Sequence, residues 1–488
     1  MGNHVLIQNG TVIDPSQNLN GKMDLRVRDG RVAEIAERLQ PQHDETVINA
    51  NGKLVIPGMV ELHVHIYGGI GVDLDSLGVY CGVTTAIDAG SAGPSTFLDL
   101  LTLTEDAATS VYSIVFAEAP GALDFQVHTN PAELGSIHIT KIANLIEKHP
   151  DKLLGFKSAA LTDLGLPWVS MTKSLSKWFN RPAYYHIGNF RRNTLRETHI
   201  RGMLAMLEKD DIITHCYTAE EGGLIDGRGK VYPELFEALD RGLHLDVGHG
   251  STGFSFASAR TLLEHGVKPH SISADNNTSN IKKLNMPLAM SKILALGVPL
   301  EEIVAMVTNQ PARVIGLEDR AGSLKVGYPG DIAIFELVSG SWEMTDTEGE
   351  KLVADRKFVP WKTVKDGVIF DCDEERARLP ENHRYIVDKE KVPEKAMGLN
   401  EEQREYLSDL AGFIERTRSS TWDPEVLQST IHLFASERNL PLKQALHAIY
   451  FSFGNTIANG PQLGWFLNKQ DKSFVANRLK EVAKWKRA

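Results

Sequence analysis

The sequence predicts an α/β chain with three parts: a TIM-like (β/α)8 barrel, a small β-sandwich domain built from the segments flanking it, and a C-terminal all-α domain. Three observations lead there. Eight short apolar runs alternate with amphipathic stretches through the middle of the chain. Strand-like texture broken by glycine turns lies on both sides of them. Beyond residue 379 only helical periodicity remains.

Residues 5–12, 24–34 and 47–56 are short and β-branched, and Asn-Gly or Asp-Gly interrupts them, which is the local signal for hairpins. They make residues 1–56 the first part of the small β domain. The same texture returns in GDIAIFELVSGSW and WKTVKDGVIFD, so 320–378 is its second part. Between them, in 57–319, come GMVELHVHI, TTAIDAG, VYSIVFAEA, LLGFKSA, AYYHIG, DIITHCYT, LHLDVGHG and HSISAD, with helical patterns such as RNTLRETHIRGMLAMLEK among them. Alternation of this kind predicts successive βα units and a parallel sheet. Eight runs suit a closed barrel, in which functional groups sit at the C-terminal strand ends, and the polar residues of these runs fall there. A charged linker then leads into the helical domain, 379–488. There Asp423-Pro424-Glu425 places a capping carboxylate and a first-turn proline ahead of VLQSTIHLFASE.

With 52 Lys and Arg against 63 Asp and Glu in 488 residues, the formal net charge is −11. That balance argues against nucleic-acid or anionic-membrane binding by the whole surface. The acidity belongs to the first three-quarters, and Lys469, Lys472, Arg478, Lys480, Lys484, Lys486 and Arg487 make the C-terminal tip basic. Cys81, Cys216 and Cys372 lie too far apart for a CxxC knuckle and suggest no disulfide framework, so a reducing, cytoplasmic setting is the default. The N-terminus does not read as a signal peptide, and no run approaches the roughly 18 apolar residues of a membrane span.

The strongest chemical signal is PGMVELHVH. Residues two apart on a strand share a face, so His63 and His65 can present two imidazoles to one metal ion while Val64 points away. An isolated pair is equally compatible with two structural histidines. Lys157, His186, His215 and Asp275 end later strands, and each read singly suits a structural role better. Together, at successive strand ends of one barrel, the six converge on one rim. Neutral imidazole and carboxylate suit zinc, manganese, iron or cobalt.

These residues resemble the amidohydrolase superfamily and, within it, the dihydroorotase-like branch of amidohydrolase/deacetylase metallohydrolases. The resemblance spans about residues 5–375 and includes VTTAIDAGSAG, DVGHG and NMPLAMSKILALGVPLEEIVAMVTNQPARVIGL. It implies two divalent metals, zinc foremost, held by His63, His65, Lys157, His186, His215 and Asp275. It also implies carboxylation of Lys157, because an ammonium with a pKa near 10.4 repels a cation whereas a carbamate offers one oxygen to each metal. The implied chemistry is hydrolysis of an amide, cyclic amide or ester of a small acyl compound, such as an N-acyl amino acid. A hydroxide shared by the metals would attack, and Asp275 would carry the proton. His249 resembles a position near the substrate, and Tyr67, Ser91 and Asn276 are weaker candidates for the pocket wall. Asp275 is followed by Asn276-Asn277 where relatives often carry His, so substrate contacts there differ. Arg191 or Arg192 could clamp a substrate carboxylate, although a solvated loop explains them more simply.

FASERNLPLKQALHAIYFSFGNTIANGPQLGWFLNKQDKSFVANRL, residues 434–479, resembles the helical anticodon-binding region of class I lysyl- and glutamyl-tRNA synthetases. That implies an alternative, a barrel scaffold whose helical domain binds tRNA or a protein partner. Dimer contacts or a lid over the barrel are favoured over RNA, and a homo-oligomer acting on a small molecule is expected. Gly248 to Gly253 also fit GxGxxG, a weak nucleotide-binding signal here because no fresh βαβ unit precedes it. Suitable residue types at all six ligand positions favour catalysis.

Overall fold

The computed structural model describes residues 4–117, 119–122, 137–159, 166–188, 197–281, 283–372, 385–418, 421–457 and 460–485. Arg191, Arg192 and residues 373–384 of the expected linker lie outside them. The chain opens with β1 (Val5–Asp14) and β2 (Leu19–Arg28), joined by a single 3-10 turn. Asp14 holds that turn by accepting the Ser16 amide at 2.9 Å, and it reaches the Leu324 amide at 2.7 Å, which ties the start of the chain to the segment after the barrel. Asp29 and Gly30, both at positive φ, turn the chain into β3 (Arg31–Ala36), as an Asp-Gly pair favours. β4 (Thr46–Asn49) and β5 (Leu54–Pro57) complete this part.

β6 (Met59–Val64), β7 (Val83–Ala89), β8 (Ser110–Phe116), β9 (Leu153–Ala159), β10 (Ala183–His186), β11 (Asp211–Thr214) and β12 (His244–Leu245) form a seven-stranded sheet in chain order. Every pairing in it is parallel. β6 and β7 are buried throughout, as strands covered on both faces must be. The eighth apolar run does not make a regular strand. Residues 271–276 instead pass between β12 and β6, bridging Asp246 to Ser271 and Val64 to Asn276. Amides of His249 and Gly250 reach the carbonyls of Ser273 and Ala274 at 3.0 Å, and the His65 amide reaches that of Asn276 at 2.9 Å. Glu61 explains the irregularity. Its buried carboxylate accepts both the Ala274 amide and the His63 amide at 3.1 Å, so a side chain stands in for ladder carbonyls at the seam.

After the barrel, β13 (Ile332–Thr345), β14 (Lys351–Lys365) and β15 (Val368–Asp371) follow. β13 pairs antiparallel with β5, so the two flanking segments share one eight-stranded sheet, ordered β15-β14-β13-β5-β1-β2-β3 with β4 on β1. Val5, Ile7, Leu25, Val55 and Ile334 build its own apolar core. Phe335, Met344 and Phe358 of the long β13–β14 hairpin pack into the barrel's core instead. The C-terminal helices run Glu401–Arg416, Pro424–Glu437, Leu442–Phe453, Leu463–Lys469 and Lys472–Lys484. Asn400 and Gln403 form a capping box, and Asp423 caps the second helix ahead of Pro424, each satisfying amides that a helix start leaves unpaired. Tyr406, Leu410, Ile431, Ile449, Phe453 and Leu479 bury their apolar stripes together. Among the described residues no helix is long and apolar enough to cross a membrane.

The barrel seam is directly testable. Glu61→Ala leaves two buried amides without an acceptor and should cost about 2–4 kcal/mol in urea unfolding, while Glu61→Gln should recover most of it. A loss below about 1 kcal/mol would show that the seam does not depend on this carboxylate.

Candidate metal centre

Two buried carboxylates, each acting through a hydroxyl, orient the histidine pair. Asp246 accepts from the hydroxyls of Tyr184, Thr214, Ser271 and Ser273 at 2.5–2.9 Å. The Thr214 proton is therefore spent, and its oxygen accepts from His63 Nδ1 at 3.0 Å. His63 Nε2 is left as the lone-pair nitrogen, facing the barrel mouth. His65 repeats the arrangement: Nδ1 meets Ser91 Oγ at 3.1 Å, and Ser91 is bonded to the buried Asp88. Asp88 also takes the Ala92 amide at 3.2 Å, which shapes the loop after β7.

The other four residues close around this pair. Lys157, on β9 and buried, places Nζ 2.7 Å from His63 Nε2. Asp275 Oδ1 lies 3.3 Å from His63 Nε2 and 3.4 Å from His65 Nε2. The ligand atoms of His63, His65 and Asp275 all fall within 4.8 Å of one another. His215 stacks at a tilt 5.3 Å from His63, donates Nδ1 to the Gly248 carbonyl at 2.5 Å, and turns Nε2 to His186 Nδ1 at 2.9 Å. The structure thus brings all six strand-end residues into one connected cluster. His215 and Asp275 sit at φ 65° and 48°, left-handed conformations that non-glycine residues adopt at a cost. Gly248 and Gly250 make room for them, since a methyl on Gly248 would lie 2.0 Å from Thr214 Oγ1 and one on Gly250 2.3 Å from Asp275 Oδ2.

Burial dominates the electrostatics. It pulls His65 down to about 3 and His215 to about 4, so both are neutral ligands at physiological pH. It lowers Lys157 to about 8 despite the carboxylates nearby, and it raises Asp275 to about 6 against the opposing pull of His215 and Lys157. Asp275 Oδ1 is buried and has no hydrogen-bond donor. A carboxylate oxygen aimed at imidazole nitrogens without a proton between them is a donor set suited to a cation.

The residues expected in the pocket wall divide. His249 stacks on Phe254 at 4.6 Å and lines a cavity of about 570 Å³ next to the cluster. Tyr67, Ser91 and Asn276 spend their polar atoms on the protein: the Tyr67 hydroxyl on Asp99 at 3.1 Å, Ser91 on His65, and the Asn276 amide on Asn280 and the Leu284 carbonyl. Sequence reasoning did not single out Asp246, Thr214, Asp88 or Lys292. The two acids stand inside strand-end phrases, DVGHG and TTAIDAG, whose position was the available signal.

The helical region packs on the rim formed by the loops after β6, β7 and β8. Asp99, fully buried, accepts from Tyr67, from Gln428 Nε2 at 2.8 Å and from His432 Nε2 at 2.6 Å. Gln428 in turn accepts the Gly464 amide at 2.9 Å, and Gln462 donates to the Ala122 carbonyl at 2.9 Å. Glu425 takes Ser95, His138 and Lys141 at 2.6, 2.8 and 3.3 Å.

A parallel barrel with a His-His-Asp cluster at its strand ends has the build of a barrel hydrolase whose site can take a metal ion. The comparisons with known proteins make this specific. Residues 191–370 match the amidohydrolase family. The chain is 28% identical to a deacetylase of Enterococcus faecalis over 75% of this chain and 99% of that protein. It is 29% identical to a deacetylase of Agrobacterium fabrum over 68% and 82%. A crystal structure of an adenine deaminase matches with a TM-score of 0.69 at 28% identity, covering 75% of this chain and 99% of that one. One of a dihydroorotase matches at 0.67 and 26%, covering 76% and 98%. The chain carries an amidohydrolase-family domain at residues 191–370, and the relatives and solved structures it resembles over about three-quarters of its length are hydrolases of the amidohydrolase superfamily.

Gln428→Leu removes a donor to Asp99 and the acceptor of the Gly464 amide. It should cost about 1–3 kcal/mol by denaturant unfolding, and a change under about 0.5 kcal/mol would mean that the helical region is not tied to the rim through this residue.

Proposed function

We propose that the chain hydrolyses an amide bond in a small acyl compound, foremost an N-acyl amino acid, with two divalent cations held by His63, His65, Lys157, His186, His215 and Asp275. The observation that carries this reading is Asp275 Oδ1, buried without a donor between the Nε2 atoms of His63 and His65. The deacetylases among the relatives support an acyl amide over a cyclic amide or ester. The donor set suits zinc, with manganese, iron and cobalt also compatible. When bound, such ions lower the pKa of water and polarise an acyl carbonyl.

The chain's own residues supply the rest. Lys157 would hold a cation only as its carbamate, since its ammonium would repel one. Burial favours that form, because a lysine lowered to about 8 keeps more of the neutral amine that adds carbon dioxide. Asp275, raised to about 6, takes the proton of the attacking water and returns it to the departing nitrogen. Asp246 through Thr214, and Asp88 through Ser91, keep His63 and His65 in the tautomer that turns Nε2 inward. His249 faces the substrate from the adjoining cavity. Tyr67, Ser91 and Asn276 act behind the ligands, holding the loops that carry them. Buried free thiols at Cys81 and Cys216 fit a cytoplasmic setting.

Elemental analysis of the purified protein should find about two divalent metals per chain, as a binuclear site requires. Lys157→Ala should abolish hydrolysis of N-acyl amino acids and regain part of it with added short carboxylic acids, whereas full activity without them would remove the carbamate from the reading. Ser91→Ala should weaken metal binding by about 10–100-fold in a chelator competition, because His65 loses the partner that orients it.

A further inference from the structure

Lys292 is a buried cation that lacks a counter-charge. It lies in the last turn of the helix Met286–Ala295 and is only 4% exposed. A lysine there already profits from the helix dipole and would ordinarily extend its ammonium to water. The helix is held against that. Asn285 caps it by accepting the Leu288 amide at 3.0 Å, and the Ser291 hydroxyl accepts the Phe358 amide of β14 at 2.9 Å. Lys292 Nζ meets His249 Nε2 at 2.8 Å. The other imidazole nitrogen donates to the Gly250 carbonyl at 3.0 Å, so Nε2 is the acceptor and one ammonium proton is spent on it. Two protons remain. Among the described residues no carboxylate oxygen lies within 4.0 Å of Nζ. Asp346, the acid that acts on Lys292 from a distance, is engaged by the amides of Phe256, Glu348 and Glu350 at 2.8, 2.9 and 2.8 Å. Glu343, across the same cavity, pairs with Lys351 at 2.8 Å.

Lys292 and His249 line the cavity of about 570 Å³ together with Gly250, Ser251, Asn280 and Thr345, a volume in the range of small-molecule sites. Gly250 joins this cavity to the proposed metal cluster, since a methyl on it would strike Asp275 Oδ2. A buried ammonium without an anion is unfavourable, and an anionic ligand would relieve it. We propose that Lys292 is the specificity residue for the substrate's carboxylate, held by the two free ammonium protons while the scissile amide lies at the Asp275 end of the cavity. The single buried charge suits a monoanion, because the other lysine of the lining, Lys283, is exposed at the mouth. This rests on the hydrolase reading above and narrows its substrate class to acyl amides whose amine half bears a carboxylate.

The test compares N-acetyl amino acids with their primary amides on metal-loaded wild type, Lys292→Met and Lys292→Arg. Wild type should favour the acids by at least about tenfold in kcat/KM, the scale of one charge-assisted hydrogen bond. Lys292→Met should collapse that preference, mainly through KM for the acids and with metal content retained, and Lys292→Arg should restore part of it. Equal use of acid and amide by wild type, or a preference that survives in Lys292→Met, overturns the assignment. Should metal-loaded wild type hydrolyse neither compound, the N-acyl reading fails, and calorimetric titration of the same acids decides separately. Saturable binding lost only in Lys292→Met then upholds the carboxylate site, and absent or unaltered binding overturns it.

Discussion

A carboxylate sealed at the centre of the barrel organises everything above it. Asp246 has no access to water, so its charge must be met by the protein, and four hydroxyl protons meet it. Each hydroxyl that donates downward can only accept from above, and this fixes which nitrogen of His63 carries a proton. Asp88 does the same for His65 through Ser91, and Glu61 secures the backbone beneath both. Three buried acids thus lie under a cluster of neutral imidazoles and fix its hydrogen-bond directions.

The backbone at the mouth departs from regular strand geometry. β10, β11 and β12 are short, and the chain turns through left-handed residues at His215, Gly248, Gly250 and Asp275. A regular strand would alternate His215 and Asp275 between the barrel interior and the helices. The left-handed turns swing both side chains over the top of the barrel, and the glycines nearby keep the approach open. Closure through residues 271–276 follows from the same need, because a segment that must deliver Asp275 at φ 48° cannot also hold a full ladder.

The helical region belongs to the rim mechanically. It reaches Asp99, the Ala122 carbonyl and Ser95, and the loop bearing Ser91 lies among these. The C-terminal helices supply Phe453, Leu463 and Leu479 to the bundle's own core, and Gln462 reaches the rim.

Local pattern made much of this legible in advance. Strand alternation put His63 and His65 on one face, the eight apolar runs marked the barrel, and Asp423-Pro424 marked a helix start. What stayed hidden depends on contacts between distant residues. DVGHG and SISAD each offer a strand-end aspartate, and only the closed barrel makes Asp246 the hydroxyl-bound hub and leaves Asp275 Oδ1 without a donor beside the two imidazoles. Thr214 supports His63 across 151 residues, and Gln428 meets Asp99 across 329. Lys292 reads in sequence as an ordinary lysine at a helix end. By itself the sequence determined the order of strands and helices and the stock of ligand-type side chains, because those follow from short-range periodicity and residue chemistry. Tertiary structure alone decided which acids are spent on hydroxyls, which nitrogens keep a lone pair and which lysine is buried without an anion, because burial and hydrogen-bond direction exist only once the barrel has closed.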